Sequence, residues 1–313
     1  MIKQAISPEA LQEHLTSLPA DGREVFLIAD GTLRLTAIAA TTMINEMRAN
    51  HDTGLLETYV LGQAYLASGL LASTVKDQDR VQLNVEGAGP IGGVFTEAWA
   101  NGSVRGYLQN NPIPLTEELT SLDTDYLYGP GFLTVTKILE GRKTPFSGQV
   151  MLQHGDLAKD LAHYFSQSEQ TPTLIILSIH FDEDGSVTGS GAVFIQALPG
   201  AEEATLGAVE DLSGALPSLG EALSTGVAVR AFIEEHYSQF APKHLERQHL
   251  TFFCPCSKEQ YQVYLEQLDR EDKADLVTNG PYPLEIVCLN CSTPYHYSEA
   301  ELKELLAPKK EIQ

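Results

Sequence analysis

Residues 253–257 read Phe253-Cys254-Pro255-Cys256-Ser257, and residues 288–291 read Cys288-Leu289-Asn290-Cys291. These four cysteines are the whole cysteine content of the 313-residue chain, and the 253 residues before them contain none. Two close thiol pairs separated by 31 residues supply four soft ligands, the set that a tetrahedral zinc ion takes up. Each pair is also short enough to close a local disulfide. The module they define is therefore either a plain zinc staple or a staple that oxidants can remove. CxC followed by CxxC is asymmetric, unlike the paired CxxC knuckles of generic zinc ribbons. His249 and His296 lie near the cysteines, but with four thiols available they are expected beside the site or on the surface rather than on the metal.

Upstream, the patterning is that of a mixed α+β core. Val25–Ala29 and Leu33–Ala37 alternate around Asp30-Gly31, which predicts a hairpin with a two-residue turn. Residues 40–50 and 54–76 carry helical periodicity, the second with a broad apolar face from Leu56 to Leu71. Strand signals follow at 81–85, around Val94-Phe95, and at 104–108, with Asn101-Gly102 as a turn between the last two. Further strands are predicted at 132–138 and 146–152, then a helix capped by Asp156. Leu174–Phe181 and Val187–Leu198 close the region as a hairpin around Asp184-Gly185.

Residues 199–229 differ. They hold no Lys or Arg, five acids and glycines at 200, 207, 214, 220 and 226. Yet Leu206, Val209, Leu212, Leu216, Leu219 and Leu223 recur at helical steps. Each interior glycine costs about 0.8–1 kcal/mol relative to alanine, and Pro217 interrupts the hydrogen-bond ladder. The segment reads either as a simple interdomain linker or, because a plain linker needs no leucine stripe, as marginal helix that persists only when docked. The expected organisation is thus an α+β core domain (1–198), a metastable helical linker (199–250) and a small C-terminal zinc-binding domain (251–313).

Several motif matches carry no chemistry. Gly87-Ala88-Gly89-Pro90-Ile91-Gly92 fits a dinucleotide fingerprint, but strand rather than helix follows it. Ser73-Thr74-Val75-Lys76 fits a serine–lysine acyl-enzyme pattern whose partner motifs are missing. No histidine pairs with a nucleophile, so no enzyme is expected. The CxxC lacks the strand–CxxC–helix setting of a thiol oxidoreductase, because Ser292-Thr293-Pro294 does not open a helix.

The formal charge of −22 repels phosphate backbones and weighs against nucleic acid as a partner. No apolar run approaches the ~20 residues that span a bilayer, and the N-terminus has no signal-peptide core, so a cytoplasmic protein is expected. In that compartment clustered thiols favour a metal over permanent disulfides. Structural zinc in small modules supplies about 10–16 kcal/mol of folding free energy. A whole domain retains only about 5–15 kcal/mol net. Ejecting the metal should therefore unfold residues 250–300.

The chain resembles the heat shock protein 33 family, the redox-regulated holdase chaperones of bacteria. The resemblance rests on Phe253-Cys254-Pro255-Cys256-Ser257 with Cys288-x-x-Cys291, on Val81-Gln82-Leu83 running into Gly87-Ala88-Gly89-Pro90, on Gly106, and on Asp160 with the string Tyr164 to Pro172. It implies one zinc held by Cys254, Cys256, Cys288 and Cys291 in an inactive reduced state. It further implies Cys254–Cys256 and Cys288–Cys291 disulfides on oxidation, zinc release, linker unfolding, homodimerisation and ATP-independent binding of unfolding client proteins. The alternative is a constitutive zinc-stapled interaction module with no switch.

Overall fold

The apolar runs of the first 200 residues become two antiparallel sheets with a helix pressed between them, as the computed structural model, which describes residues 1–115 and 124–307, makes plain. In chain order the elements are α1 (Glu9–Ser17), β1 (Gly22–Ile28), β2 (Leu33–Ala39), α2 (Thr41–His51), α3 (Leu55–Leu71), β3 (Arg80–Gly87), β4 (Gly93–Trp99) and β5 (Ser103–Leu108). There follow α4 (Asp125–Tyr128), β6 (Gly131–Ile138), β7 (Phe146–Met151), α5 (Leu157–Ser168), β8 (Thr173–Phe181) and β9 (Val187–Ala197). One sheet has the order β10-β1-β2-β9-β8 and the other β11-β5-β4-β3-β6-β7, where β10 (Lys243–His249) and β11 (Thr251–Phe252) come from far downstream. The fold class is mixed α+β, as expected.

The helix α3 lies between the sheets. Its Tyr65 hydroxyl donates to the Gly106 carbonyl of β5 at 3.0 Å, and Ser68 bonds Thr96 of β4 at 2.6 Å. On the opposite side, a Cβ at Gly69 would stand 3.4 Å from Ile38 of β2. Sequence periodicity gives α3 one broad apolar face, whereas Val60, Leu61, Ala64, Tyr65, Leu66, Ala67, Leu70 and Leu71 are all buried. A helix apolar almost all round is the form such a two-sided burial demands.

The β1–β2 connection departs from the two-residue turn. Ile28 pairs with Leu33, leaving four residues in the loop, and Ala29, Asp30 and Gly31 all have positive φ. The glycine-rich run at 87–92 is a packing device rather than a phosphate cradle. A Cβ on Gly87 would meet the Tyr128 carbonyl oxygen at 2.1 Å, and one on Gly89 the Leu127 oxygen at 2.3 Å. Asp156 caps α5 as expected, its carboxylate accepting from the Lys159 amide at 3.0 Å.

The glycine-rich segment forms α6 (Glu203–Ala215) and α7 (Leu219–Ser224), followed by α8 (Val229–His236). These helices cover the outer face of the five-stranded sheet. Val209, Leu219, Leu223, Val229, Phe232, Ile233 and Tyr237 are buried against Phe26, Ile28, Leu33, Leu35, Ala37, Val193 and Ile195. Within the helical layer, Tyr237 and Ser213 share a buried hydrogen bond of 2.9 Å. α7 comes so close to β9 that a Cβ on Gly189 would lie 2.0 Å from the Gly220 carbonyl oxygen. Residues 243–249, grouped by sequence with the linker, are strand β10, paired with β1 from Gly22↔His249 to Leu27↔Lys243. Glu24, buried in β1, anchors it through His244 (2.6 Å) and Arg247 (3.1 Å).

β11 leads into the cysteine region, which adds α9 (Lys258–Gln267), α10 (Arg270–Asn279), β12 (Leu284–Val287), β13 (Pro294–Tyr297) and α11 (Glu299–Leu305). The two helices fill the gap between the cysteine pairs, where sequence gave no prediction. Residues 308–313, counted above with the C-terminal domain, lie outside the described residues. Among those described, no helix is long and apolar enough to cross a membrane.

Candidate metal centre

The two cysteine pairs reach one point from opposite sides. Cys254-Pro255-Cys256 leaves β11 and ends where Ser257 caps α9, its hydroxyl accepting from the Gln260 amide. Cys288 to Cys291 forms the tight turn between β12 and β13. There the Ser292 amide donates to the Cys288 carbonyl at 2.7 Å and the Cys288 amide to Thr293 at 3.0 Å. Because β13 rather than a helix follows, the oxidoreductase setting is absent. All four sulfurs are buried and lie within 4.8 Å of one another. Cys254 and Cys288 approach at 3.8 Å, Cys256 and Cys291 at 3.4 Å. A sulfur tetrahedron around zinc, with bonds of ~2.3 Å, has edges of about 3.8 Å. The donor set and spacing therefore fit the metal that the sequence pattern implies.

Such crowding couples the thiols. Cys254 is lowered to about 6, chiefly by its hydrogen bond with Cys256, with Arg105 acting in the same direction. Cys288 is lowered well below the ordinary thiol range, first by Cys254. Cys256 and Cys291 are pushed up, each chiefly by Cys254. The cluster thus shares protons and charge, as four thiols packed this closely must.

The surrounding contacts come from distant parts of the chain, and sequence reasoning found none of them. The Arg105 guanidinium of β5 donates to Cys254 Sγ at 3.4 Å. The Tyr295 hydroxyl is 3.2 Å from Cys256 Sγ and donates to the Cys256 carbonyl at 2.9 Å. Met1 Sδ accepts from the Cys254 amide at 3.0 Å. On α2, Asn50 donates to the Cys291 carbonyl at 2.8 Å and His51 Nδ1 bonds Ser292 at 2.9 Å. Burial pushes His51 down to about 4, so it remains neutral beside the module. The two histidines flagged by proximity in sequence take no part: His249 bonds the Asp21 carbonyl at 3.1 Å, and His296 is exposed beside Glu285.

Comparison with known proteins agrees with this geometry. The family model described as Hsp33 protein matches residues 21–298. The 33 kDa chaperonin of Lactobacillus acidophilus is 34% identical over 281 residues, covering 89% of this chain and 94% of the relative. That of Limosilactobacillus fermentum is 32% identical over 283 residues, covering 90% and 96%. The crystal structure of the 33 kDa chaperonin (heat shock protein 33 homolog) of Thermotoga maritima superposes with a TM-score of 0.82 at 30% identity, covering 92% of this chain and 98% of that one. A match across the core sheets, the docked helices and the cysteine module together leaves one conclusion: the chain belongs to the Hsp33 family.

Proposed function

We propose that this chain is a redox-regulated holdase, kept inactive by a reduced, zinc-loaded module and released by oxidation in the cytoplasm. Belonging to a family whose relatives are named chaperonins, it is a chaperone and not an enzyme. The observation that carries the regulated reading is a physical continuity. The four-sulfur cluster follows directly on β11 and β10, and β10 follows directly on the helices that cover the core sheet. In functional terms we divide the chain into a core (1–198), a releasable linker (199–250) and a switch (251–313).

Bound zinc would hold all four sulfurs as thiolates and staple the module. The chain's own residues define what oxidation does. One thiolate attacks peroxide, giving a sulfenic acid and hydroxide. A second thiolate then displaces another hydroxide to close the disulfide. Two thiolates, one peroxide and two protons become one disulfide and two waters. We assign the products as Cys254–Cys256 and Cys288–Cys291. In the reduced geometry the close approaches of 3.4 and 3.8 Å run across the pairs instead. Closing disulfides within the pairs removes the cross-pair sulfur contacts and all four thiolates that would hold the metal, which couples the chemistry to unfolding of the module.

With the module lost, β10 has no fixed continuation and α6–α8 lose their downstream anchor. Lifting those helices uncovers apolar residues on both sides of the contact, among them Leu219, Phe232 and Ile233 on the helices and Phe26, Ile28 and Leu35 on the sheet. That surface is what an unfolding client, or a second oxidised copy, would meet. The charge of −22 keeps such a protein soluble while apolar area is exposed.

The test is a single titration. Peroxide with mild heat should release one zinc per chain and, in the same sample, confer suppression of client aggregation. Metal release without a gain in holdase activity would sink the proposal.

A further inference from the structure

The outer face of the six-stranded sheet carries a charge network that ends on a cysteine sulfur. Glu97 of β4 is 1% exposed although it sits on the face turned away from α3. Its register partners supply the reason: Glu97 faces Arg105 on β5 and Gln82 on β3. Arg105 grips one carboxylate oxygen through Nε at 2.9 Å and Nη2 at 2.6 Å. Gln82 (2.9 Å) and Arg80 (2.9 Å) hold the other. The remaining arm of the Arg105 guanidinium is thereby aimed outward and donates to Cys254 Sγ. The indole of Trp99 lies beside both arginines, 5.0 Å from the Arg105 guanidinium carbon and 5.9 Å from that of Arg80. It is the chain's one tryptophan. The next residue, Gly106, donates its amide to the Asn290 carbonyl inside the second cysteine turn at 3.3 Å. Strand β5 thus touches both halves of the cluster.

We propose that Arg105 is a positioning residue for the thiol cluster. Clamped by Glu97, it presents a fixed positive charge and one N–H to Cys254, favours metal retention, and damps the sulfur's reactivity toward oxidant. Two arginines against one glutamate leave a net positive charge facing a cluster that carries excess negative charge when its sulfurs are thiolates. A hydrogen bond into a thiolate draws electron density from it, and nucleophilicity falls accordingly. The fork geometry matters because a rigid, planar guanidinium can hold Glu97 with two N–H groups while a third points in a fixed direction at Cys254, whereas the donors of a lysine ammonium sit on a flexible stem.

This rests on the zinc reading above, and the two fail separately. Zinc affinity is measured by competition with a chromogenic chelator on the reduced, full-length protein, alongside peroxide-driven zinc release and Trp99 emission. If the wild type takes up no zinc, the switch reading falls. If it does, Arg105→Met should weaken affinity and speed release by about tenfold, the low end of the range for groups that support metal ligands. Arg105→Lys, which keeps the charge but loses the rigid fork that aims one N–H at Cys254 while gripping Glu97, should fall between. Arg80→Met, which touches the clamp but not the sulfur, should stay within about twofold of wild type. Removing zinc should shift wild-type Trp99 emission and leave that of Arg105→Met unmoved. A merely structural arginine would lower the melting temperature without these effects. Zinc affinity and release within about twofold of wild type in Arg105→Met would overturn the proposal. If that variant does not fold, equality of Arg105→Lys with wild type would do so.

Discussion

Gly207 and Gly214 sit in α6 where no function demands glycine. Neither has a positive φ, and a Cβ built on either meets nothing within 4 Å. Replacing both with alanine should therefore add helix stability without touching the packing. An interior Gly→Ala change is worth up to ~1 kcal/mol, less near the C-terminal end where Gly214 lies, so the pair should contribute about 1.5–2 kcal/mol. At ~1.4 kcal/mol per factor of ten, the linker would open about 10–30 times less often. Hydrogen exchange of the α6 amides reads this directly in the reduced protein. In the oxidised protein the same change should raise the peroxide and heat needed for aggregation suppression. Gly189→Ala supplies the opposite perturbation. Its methyl would fall 2.0 Å from the Gly220 oxygen and 2.6 Å from the Ser224 amide nitrogen, so α7 must lift from β9. Overpacking of that kind costs about 1–3 kcal/mol, and the variant should hold clients while still reduced and zinc-loaded. If the double alanine variant protects α6 yet activates at the wild-type threshold, the linker is not the element whose release creates the chaperone.

Three further outcomes are expected. Cys288→Ser should abolish stoichiometric zinc binding and remove most amide protection from residues 254–305 while the β3–β6 ladder stays protected, since the staple supplies more free energy than so small a module retains. Tyr237→Phe leaves the buried Ser213 hydroxyl without its 2.9 Å partner; the lost bond of about 1 kcal/mol should make α6 exchange roughly fivefold faster. Asp21, buried below the start of α2, is raised by desolvation from 3.8 to about 7, against the amides of Met43 and Thr42, which lower it. The folded chain therefore binds the extra proton between those values, and its contribution to stability, about 4 kcal/mol, is full below pH ~4 and lost as pH rises through ~7. Asp21→Asn should flatten that slope in denaturant titrations from pH 4 to 8; an unchanged slope would clear Asp21 of the effect.

Local chemistry was legible in the sequence where one residue type decides the matter. The four cysteines named their own cluster, Asp156 named its cap, and the leucine steps from Leu206 to Leu223 marked an apolar helical face on a segment that could also be read as a plain linker; it is carried by two helices, α6 and α7. What escaped is what only folding brings together. β10 carries Lys243, Glu246, Arg247 and Gln248 among its residues and reads as polar linker, because an edge strand anchored by Glu24 needs little apolar content. Arg105 looks like an ordinary outward residue until β11 lies down beside β5 and brings Cys254 within reach. The loop at 29–32 contains the Asp-Gly signal of a tighter turn, but Ala29 also takes a positive φ and the loop widens. The glycines at 87 and 89 announce a nucleotide by spacing and serve a close backbone crossing by geometry.

The pairing of β10 with β1 also fixes what kind of polymer the released linker would be. With β9 ending at Ala197 and β10 beginning at Lys243, the part of the linker upstream of β10 is, for as long as β10 keeps its pairing with β1, a tether of about 45 residues fastened at both ends. Such a loop reaches outward no more than half its contour, ~75 Å at full stretch, and a client caught on it stays within one protein diameter or two of the core. Closure entropy grows only logarithmically, so doubling the tether would cost about 0.6 kcal/mol. Length is therefore a cheap variable in this design, and composition, from Gly207 to Tyr237, is the one that sets when the loop lets go.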